Sequence, residues 1–457
     1  AWRSEHLLQF CITFHSDAKC KVGVRVSESQ DMKIPESAPG LNDLLDGISL
    51  SWSSETMELA KEYNGRYLHW SELEYRDVGP DSREALWTLM KILREGTFRT
   101  IELRDLVFKY NITDNAQRTL HGLDVRLLSD LVPDGRPDEN RRPILASSSL
   151  MEESIASSQL EGASTTTKVA KKMLRENAVP KNRSERMIAN NYNAMRFIKK
   201  HLDDDLTPDL VREIHSVVSG GTLDDARYEG RFRDDNSIVV RDVFNDETYH
   251  DPPDFRSIPD LMQALCDFAN DGTVFVHPIV KGIVLHFGLA YIHPFMDGNG
   301  RVSRSLFYWH LMRSGYASVE YLSISKVLKS HRGRYDNAYL LSETDDNDIT
   351  YFINFNLDMV SEAVDVFLNY IRRKTETNYK MQEDPRISGL SLRQREVLSD
   401  LMNSTEPMDV YELAAKHMIQ PSAARRDLKR LDELGLAKVV RIGHRNAYLY
   451  DDRVNSA

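Results

Sequence analysis

One short segment, His293 to Arg304, gathers side chains that could act on a phosphate (HPFMDGNGRVSR). Its glycine-rich turn, Gly298-Asn299-Gly300, comes directly before a predicted helix, Arg301–Leu311. Such a turn exposes backbone N–H groups and the positive end of the helix dipole to an anion. Arg301 and Arg304 are three residues apart, so their guanidinium groups share a helix face near the same anion. This part of the segment predicts a polyphosphate cradle.

Two further side chains could supply the chemistry. Asp297 lies just before the turn, and a lone carboxylate beside phosphates is the usual protein ligand of Mg²⁺. His293 can accept a proton near neutral pH without unusual tuning. Taken alone, each feature has an ordinary explanation as a loop histidine, a turn or a solvated helix face. Together they predict a site for phosphoryl or nucleotidyl transfer.

The same segment resembles the signature of the Fic family, H-x-F-x-[D/E]-G-N-G-R-x-x-R, at every specified position. The resemblance covers roughly residues 140–360 and includes Val276-His277-Pro278 and His286-Phe287. The Gly-Asn-Gly-Arg form is similar to that of the AMP-transferring members, whereas kinase-like relatives have Asn-Lys-Arg. The family moves AMP from ATP to a hydroxyl side chain of a target protein and releases pyrophosphate.

The resemblance implies a role for each residue of the motif, with ATP and Mg²⁺ as the cofactors. His293 takes the proton from the attacking Ser, Thr or Tyr hydroxyl, and Phe295 anchors the loop in the core. The remaining roles are Asp297 as the Mg²⁺ ligand, Gly298, Asn299 and Gly300 as the anion hole, and Arg301 and Arg304 as contacts to the β- and γ-phosphates.

Two neighbouring regions resemble other parts of the family's site. A predicted hairpin at about 236–251 is similar to the flap that pairs with the backbone of the target protein. Tyr335 and Tyr339, followed by acidic residues 345–348, resemble the region that closes over adenine. Ordinary helix packing and a helix-ending loop explain these tyrosines equally well.

A second motif lies upstream, where Ser157-Ser-Gln-Leu-Glu161-Gly162 matches the family's inhibitory pattern, [S/T]-x-x-x-E-[G/N]. Ser157 and Glu161 are i and i+4 on one helix face, and Gly162 suits the helix end. The alternative is a capped surface helix. The resemblance implies that Glu161 pairs with Arg304 in place of the γ-phosphate and so lowers basal activity. In some relatives this glutamate also supports removal of AMP from a modified target.

The sequence predicts a mainly α fold, with a Fic-type helical core, a small β-hairpin flap and a C-terminal winged helix-turn-helix. Helical spacing of apolar residues is clear from Arg83 to Glu95, and further helices are expected up to about residue 220. The predicted division of the chain is 1–56 as an uncertain tail or upstream sequence with a native start near Met57, 57–140 as an N-terminal helical region, 141–374 as the catalytic domain with its inhibitory helix at 150–162, 375–389 as a linker, and 390–457 as the winged helix.

The C-terminal module is predicted from three helices followed by a hairpin: Leu392–Met402, Val410–His417, a helix capped by Ser422 and ending at Gly435, and strands Ala437–Ile442 and Ala447–Tyr450 around the turn Gly443-His444. Residues 386–450 carry 11 Lys and Arg against 8 Asp and Glu, a net of +3, while the whole chain has −11. The basic side chains are Arg425, Arg426, Lys429 and Arg430 on the third helix and Lys438, Arg441, His444 and Arg445 on the hairpin. Either DNA binding or self-association could use this surface.

Composition bounds the remaining possibilities. The three cysteines, Cys11, Cys20 and Cys266, are too few for a disulfide scaffold, and no apolar run is long enough for a membrane span. We expect a cytoplasmic protein, for which a homodimer is one option. Three functions stay open: a self-inhibited protein adenylyltransferase, a nucleotide-sensing DNA-binding regulator, and an enzyme that removes AMP at the same site.

Overall fold

The fold is mainly helical, as the sequence predicts. A computed structural model of the protein describes most of the chain. The described residues are 22–24, 33–45, 51–129, 142–241, 247–404, 406–417, 419–442 and 445–451. The predicted turn at 443–444, residues 242–246 of the predicted hairpin and the rest of the first 56 residues lie outside these ranges. Among the described helices, none is both long enough and apolar enough to cross a membrane.

The helices and strands are numbered in chain order. The helices are α1 (Leu41–Leu45), α2 (Ser54–Arg66), α3 (Trp70–Leu73), α4 (Arg83–Glu95), α5 (Asp114–Leu127), α6 (Arg142–Leu160), α7 (Thr167–Arg175), α8 (Arg183–Ile198), α9 (Pro208–Ser219), α10 (Ile258–Asn270), α11 (Pro278–Ile292), α12 (Asn299–Arg313), α13 (Ile324–Ser330), α14 (Arg332–Glu343), α15 (Thr350–Glu383), α16 (Leu392–Met402), α17 (Val410–Lys416) and α18 (Pro421–Glu433). The strands are β1 (Val22–Val24), β2 (Arg99–Leu103), β3 (Leu106–Tyr110), β4 (Ile238–Arg241), β5 (Thr248–His250), β6 (Met408–Asp409), β7 (Ala437–Ile442) and β8 (Arg445–Tyr450).

The centre of the molecule is the helix pair α11 and α12, which carries the predicted site between its two helices. Nearly every residue of α11 is buried, which explains why its sequence is apolar all round instead of amphipathic. α12 is similarly buried, with Trp309 fully enclosed. Helices α9, α10 and α15 pack around this pair, so both ends of the site loop start from rigid elements.

The N-terminal part begins earlier than the sequence suggested. The stretch read as linker or tail before Met57 contains the N-cap of α2, because Ser53 Oγ accepts a hydrogen bond from Thr56 N. Trp52 Nε1 donates to the carbonyl of Ala85 at 3.1 Å, which ties this stretch to α4. The helix predicted from Arg83 to Glu95 has those bounds in the structure.

The prediction of helices from Arg83 up to about residue 220 is wrong at β2 and β3, which form an antiparallel hairpin. Its turn places Arg104 at φ 59°, and Ile101, Leu103, Phe108 and Tyr110 alternate toward the core. This alternation with period two is a strand signal, although the segment was predicted to be helical.

The predicted flap is present as β4 and β5, which pair antiparallel with Val240 opposite His250. β1 pairs in parallel with the other side of β4, with Val22 opposite Ile238. The three-stranded order is therefore β1-β4-β5, and β4 has a neighbour on both edges.

The C-terminal module has its own apolar core and the predicted order of three helices and a hairpin. β6 adds a third strand, giving the order β6-β8-β7. Two details differ from the sequence interpretation. α15 continues through much of the predicted linker to Glu383, and α18 is capped at Gln420, with Pro421 as its first residue, so Ser422 is inside the helix.

Candidate functional site

The loop from His293 to Gly298 joins α11 to α12 in a fixed shape. His293 ends α11 in the left-handed conformation at φ 49°, and Gly298 precedes α12 at φ 90°. The side chain of Asn299 closes the loop, since its Nδ2 donates to Phe295 O at 2.8 Å and its Oδ1 accepts from Phe295 N at 2.9 Å. The side chain of Asn299 therefore shapes the predicted anion hole and does not point into it.

The two ring nitrogens of His293 have different environments. Nδ1 lies 3.1 Å from Ala290 O, and a carbonyl can only accept, so Nδ1 carries the proton in the neutral ring. Nε2 is then the basic nitrogen. Burial lowers the pKa of His293 to about 4, and the nearby His250 and Arg233 act in the same direction. The imidazole is therefore neutral and able to accept a proton at physiological pH.

His215 on α9 supports this loop through its contacts with Phe295 and Asp297, and no sequence motif identifies it. Its ring stacks on Phe295 with centroids 3.7 Å apart and planes 3° apart. Nδ1 accepts from Gly230 N at 3.0 Å, so Nε2 must donate to Asp297 O at 2.9 Å. Phe295 is fully buried in this stack, in the place predicted for a core anchor.

The two arginines of the motif point to different partners. Arg301 is fully buried, and its Nη1 donates to Val218 O at 3.1 Å. Among the described residues, Arg301 Nε and Nη2 have no hydrogen-bond partner, although Nη2 lies 3.6 Å from Asp297 Oδ2. Buried guanidinium N–H groups without acceptors indicate that an anion belongs beside them.

Arg304 is held by the predicted inhibitory segment. Its Nη2 donates to Glu161 Oε1 at 2.8 Å, and its Nε donates to Ser157 Oγ at 2.9 Å. A Cβ atom placed on Gly300 would lie 2.2 Å from Glu161 Oε1, so the carboxylate lies directly over the glycine turn. Gly162 follows at φ 87°, beyond the end of α6. The predicted ion pair of Glu161 with Arg304 is thus present, and it fills the cradle.

The charge state of Glu161 follows from these neighbours. Burial alone would raise the pKa of its carboxyl group, but Arg304 and Arg332 outweigh that cost and hold the pKa below its ordinary value. Glu161 is therefore an anion in the position expected for a phosphate.

Asp297 suits a magnesium ion. Its Oδ1 accepts from Gly298 N at 2.6 Å, while Oδ2 is 3.4 Å from Arg183 Nη2, and the side chain is 35 % exposed. One accessible carboxylate oxygen fits Mg²⁺, which takes its other ligands from water and phosphate. Within the described residues, no group of three or more His, Cys, Asp or Glu side chains could hold a metal by itself.

Two contacts that the sequence did not predict hold α6, the helix that carries the predicted inhibitory motif, in place. Glu153 is buried, accepts from Ser325 N at 2.9 Å, and also accepts from the Ser325 hydroxyl at the start of α13. Arg332 Nη1 donates to Leu160 O at 2.6 Å at the other end of the helix. α6 is thus fixed on both sides of Ser157.

Arg233 is a second missed residue, and it connects the flap to the loop. Its Nε donates to His293 O at 3.0 Å, and its backbone N donates to Pro294 O at 2.8 Å. The same guanidinium donates to Asp235 O and to Pro253 O, on the two sides of the flap. One buried side chain therefore sets the flap relative to His293.

Tyr335, predicted to contact adenine, is only 5 % exposed. Its hydroxyl is 2.8 Å from His286 Nε2 and 3.3 Å from Tyr339 OH, inside a cluster of aromatic rings. The packing alternative describes these contacts, and contact of Tyr335 with adenine stays a prediction.

The geometry places a neutral histidine beside a helix N-terminus whose arginines could bind an anion. Residues 205–311 match the model of the Fic/DOC family. Protein adenylyltransferase Fic of Drosophila willistoni is 32 % identical over 178 residues, 38 % of this chain and 32 % of that protein. The Aedes aegypti protein of the same name is 32 % identical over 179 residues, with the same shares. Residues 205–311 thus carry the similarity to the Fic/DOC family, and the chain spans about a third of the length of the curated relatives it matches.

Solved structures of similar proteins include a Fic family protein from Desulfovibrio desulfuricans G20. It is 17 % identical, with a TM-score of 0.48 over 74 % of this chain and 95 % of that one.

The neutral His215 makes stability depend on pH. Burial lowers its pKa to about 4 in the folded protein, whereas an unfolded histidine titrates near ~6.5. Between these values the unfolded chain binds a proton that the folded chain does not, so stability falls as the pH falls through this window. His215→Asn should reduce that loss, measured as the free energy of unfolding against pH. The exposed His121→Asn is the matched control, and an equal pH dependence in all three proteins would contradict the neutral state of His215.

Proposed function

We propose that this protein transfers AMP from ATP and Mg²⁺ to a Ser, Thr or Tyr hydroxyl of a target protein or of itself, and that Glu161 restrains the reaction. One observation carries the proposal: the Nε2 of a neutral His293 is the basic nitrogen beside a helix N-terminus whose anion cradle is filled by a carboxylate. The names of the curated relatives support it.

In the proposed reaction the hydroxyl oxygen attacks the α-phosphorus of ATP. The new O–P bond forms as the bond between the α-phosphorus and the bridging oxygen breaks, pyrophosphate leaves, and the hydroxyl proton passes to His293 Nε2. Arg301, Arg304 and the N–H groups of the first turn of α12 bind the anionic oxygens. Asp297 would hold Mg²⁺, which would supply positive charge to the phosphates.

Restraint follows from competition for Arg304. The guanidinium is 4 % exposed, and while it is bonded to Glu161 and Ser157 it cannot also bind the γ-phosphate in the same position. ATP that enters without this contact has its α-phosphate displaced from the line of attack. A displacement of about 1 Å can cost on the order of 100-fold in rate.

The alternative function from another class is a DNA-binding regulator that senses nucleotide without transfer. Such a protein has no use for a base held neutral with its Nε2 unprotonated, so the environment of His293 favours transfer. Removal of AMP on the same site would need Glu161 to orient a water molecule. Replacing Glu161 with Gly therefore distinguishes the two reactions, because removal of AMP needs this side chain and transfer does not.

Glu161→Gly should increase labelling of the protein from α-labelled ATP and Mg²⁺ by about 100-fold, because Arg304 becomes available to the γ-phosphate. The measurement is label on protein in a gel. Glu161→Gly combined with His293→Ala should carry no label, and Glu176→Gly, on the exposed end of α7, is the control for the substitution itself. Equal labelling of wild type and Glu161→Gly would exclude restraint, and no label in either would exclude transfer.

A target protein is proposed to dock by pairing its backbone with the flap, residues 236–251. β4 already has β1 on one edge and β5 on the other, so a target strand on the β1 side would compete with residues 22–24.

Deleting residues 1–31 in the Glu161→Gly protein should therefore increase labelling of an added unstructured peptide of alternating Val and Thr. ATP binding is measured by calorimetry as the control. If the deletion raised ATP affinity by the same factor as peptide labelling, the cause would not be access to the flap. Unchanged peptide labelling would mean that the target does not use this edge.

The C-terminal module is proposed to bind DNA or to associate with itself, and the basic surface of α18 supports DNA. Arg425, Arg426, Lys429 and Arg430 are exposed. Lys429 and Arg430 lie 3.7 and 3.6 Å from Glu433, whereas Arg425 and Arg426 have no ion-pair partner within the described ranges. We also propose that the protein is cytoplasmic. The buried thiol of Cys266 is free.

Replacing Arg425 and Arg426 with Ala should weaken duplex binding and reduce the slope of log affinity against log salt by about 2, because each arginine releases one counterion. Gel shifts at several salt concentrations measure this. Lys61→Ala with Arg66→Ala removes the same charge from α2 and should leave the slope unchanged. If the chain binds no duplex but sediments as a dimer, self-association is the function of the module.

A further inference from the structure

His250 is the last residue of the flap strand β5, and its side chain is 9 % exposed. It lies between two helix ends. Tyr291, in the last turn of α11, is two residues before His293, and its ring centroid is 4.8 Å from that of His250. Glu343 is the last residue of α14. From the last residue of β5, one imidazole therefore contacts both the end of α11 and the end of α14.

Both ring nitrogens of His250 face acceptors. Nδ1 is 2.7 Å from Glu343 Oε2, and Nε2 is 2.7 Å from the carbonyl oxygen of Tyr291. A neutral imidazole has one N–H, so one of these short contacts would then bring two lone pairs together. A carbonyl cannot donate, and a proton shared by a carboxyl group and an imidazole resides on the more basic imidazole. The two contacts therefore require an imidazolium beside a carboxylate.

We propose that His250 is a positioning residue that fastens the flap to the ends of α11 and α14 only while its imidazole is protonated, and thereby sets an upper pH limit on target docking. The proposal deepens the proposed transfer function and rests on it for its consequence, but the fastening itself does not require catalysis.

The surroundings of His250 support the charged form. Burial would lower its pKa, but the hydrogen bond and charge of Glu343, the Tyr291 carbonyl and the charge of Asp251 outweigh burial, so the pKa is raised. Two further ionisable groups face it among the described residues: the Tyr291 phenol, whose ring lies against the imidazole, and His293, whose pKa the imidazolium lowers. The cation thus has an anion on one side and the neutral catalytic base on the other.

The consequence for docking follows from what holds the flap. Arg233 fixes its base on both sides, and His250 fixes the end of β5. When the imidazolium loses a proton, it keeps only one of its bonds to Glu343 and Tyr291, so β5 is held less firmly. Because β5 pairs with β4, the strand beside which the target would dock then loses its fixed position. The phosphate cradle has its own contacts through Asn299 and Arg301, so ATP binding should not change.

The experiment uses the full chain with Glu161→Gly, alone and combined with Glu343→Gln or His250→Asn. Glu343→Gln keeps the size of the side chain and removes the charge. NMR of ¹⁵N-labelled histidine assigns the His250 signals by their loss in His250→Asn. The expected His250 pKa lies above the ordinary histidine value and falls by about 1 unit in Glu343→Gln.

The second readout is amide exchange of residues 247–250, compared between the Glu343→Gln protein and its parent at the same pH. We expect about tenfold weaker protection without the charge. In the labelling assay, the decline of peptide labelling at alkaline pH should move to lower pH in Glu343→Gln by the same amount as the pKa, with the KM for ATP unchanged.

A His250 pKa at or below the ordinary value would overturn the proposal whatever the activity. A raised pKa with unchanged flap protection would also overturn it, because fastening would not depend on the charge. If Glu161→Gly carries no label at any pH while the pKa and protection follow the expected pattern, fastening stands and the transfer function fails.

Discussion

The hydrogen-bonded ion pair between Arg304 and Glu161 is the contact on which the state of the whole site depends. Arg304 is buried in α12, and a buried guanidinium without an anion is strongly destabilising. The protein must therefore supply an anion itself or accept one from a ligand. Under the proposed function, Glu161 and a γ-phosphate would satisfy the same electrostatic demand, so restraint would be a property of the cradle itself.

The positive groups around the cradle act on two other features at once. Arg301, Arg304, Arg233 and the His250 imidazolium create a field that attracts a polyphosphate. Together with burial, the same field keeps neighbouring imidazoles uncharged: His250 and Arg233 lower the pKa of His293, and Arg304 lowers that of the buried His286. A neutral base can therefore lie beside cationic groups, because burial and the nearby positive charges both lower the pKa of His293.

The sequence predicted the parts of this site that are continuous in the chain. Ser157 to Gly162 and His293 to Arg304 are short patterns whose spacing defines a helix face or a turn. The positioning residues were not predictable in this way, since their contacts join distant segments. His215 reaches Asp297 across 82 residues, His250 reaches Glu343 across 93, and Glu153 reaches Ser325 across 172. The helical extension of α15 was missed because its polar sequence also suits a linker.

How Glu161 could leave Arg304 is constrained by the way α6 is held. Departure of the whole helix would break the bonds of Glu153 to α13 and expose Ile155 and Leu160, which are almost completely buried. Glu161, by contrast, lies just beyond the last helical residue and before Gly162, whose left-handed backbone is available to glycine at little cost. A change in this two-residue turn moves the carboxylate out of the cradle while the buried face of α6 stays packed. The cost of switching is then close to that of one ion pair, and an incoming γ-phosphate replaces that same pair.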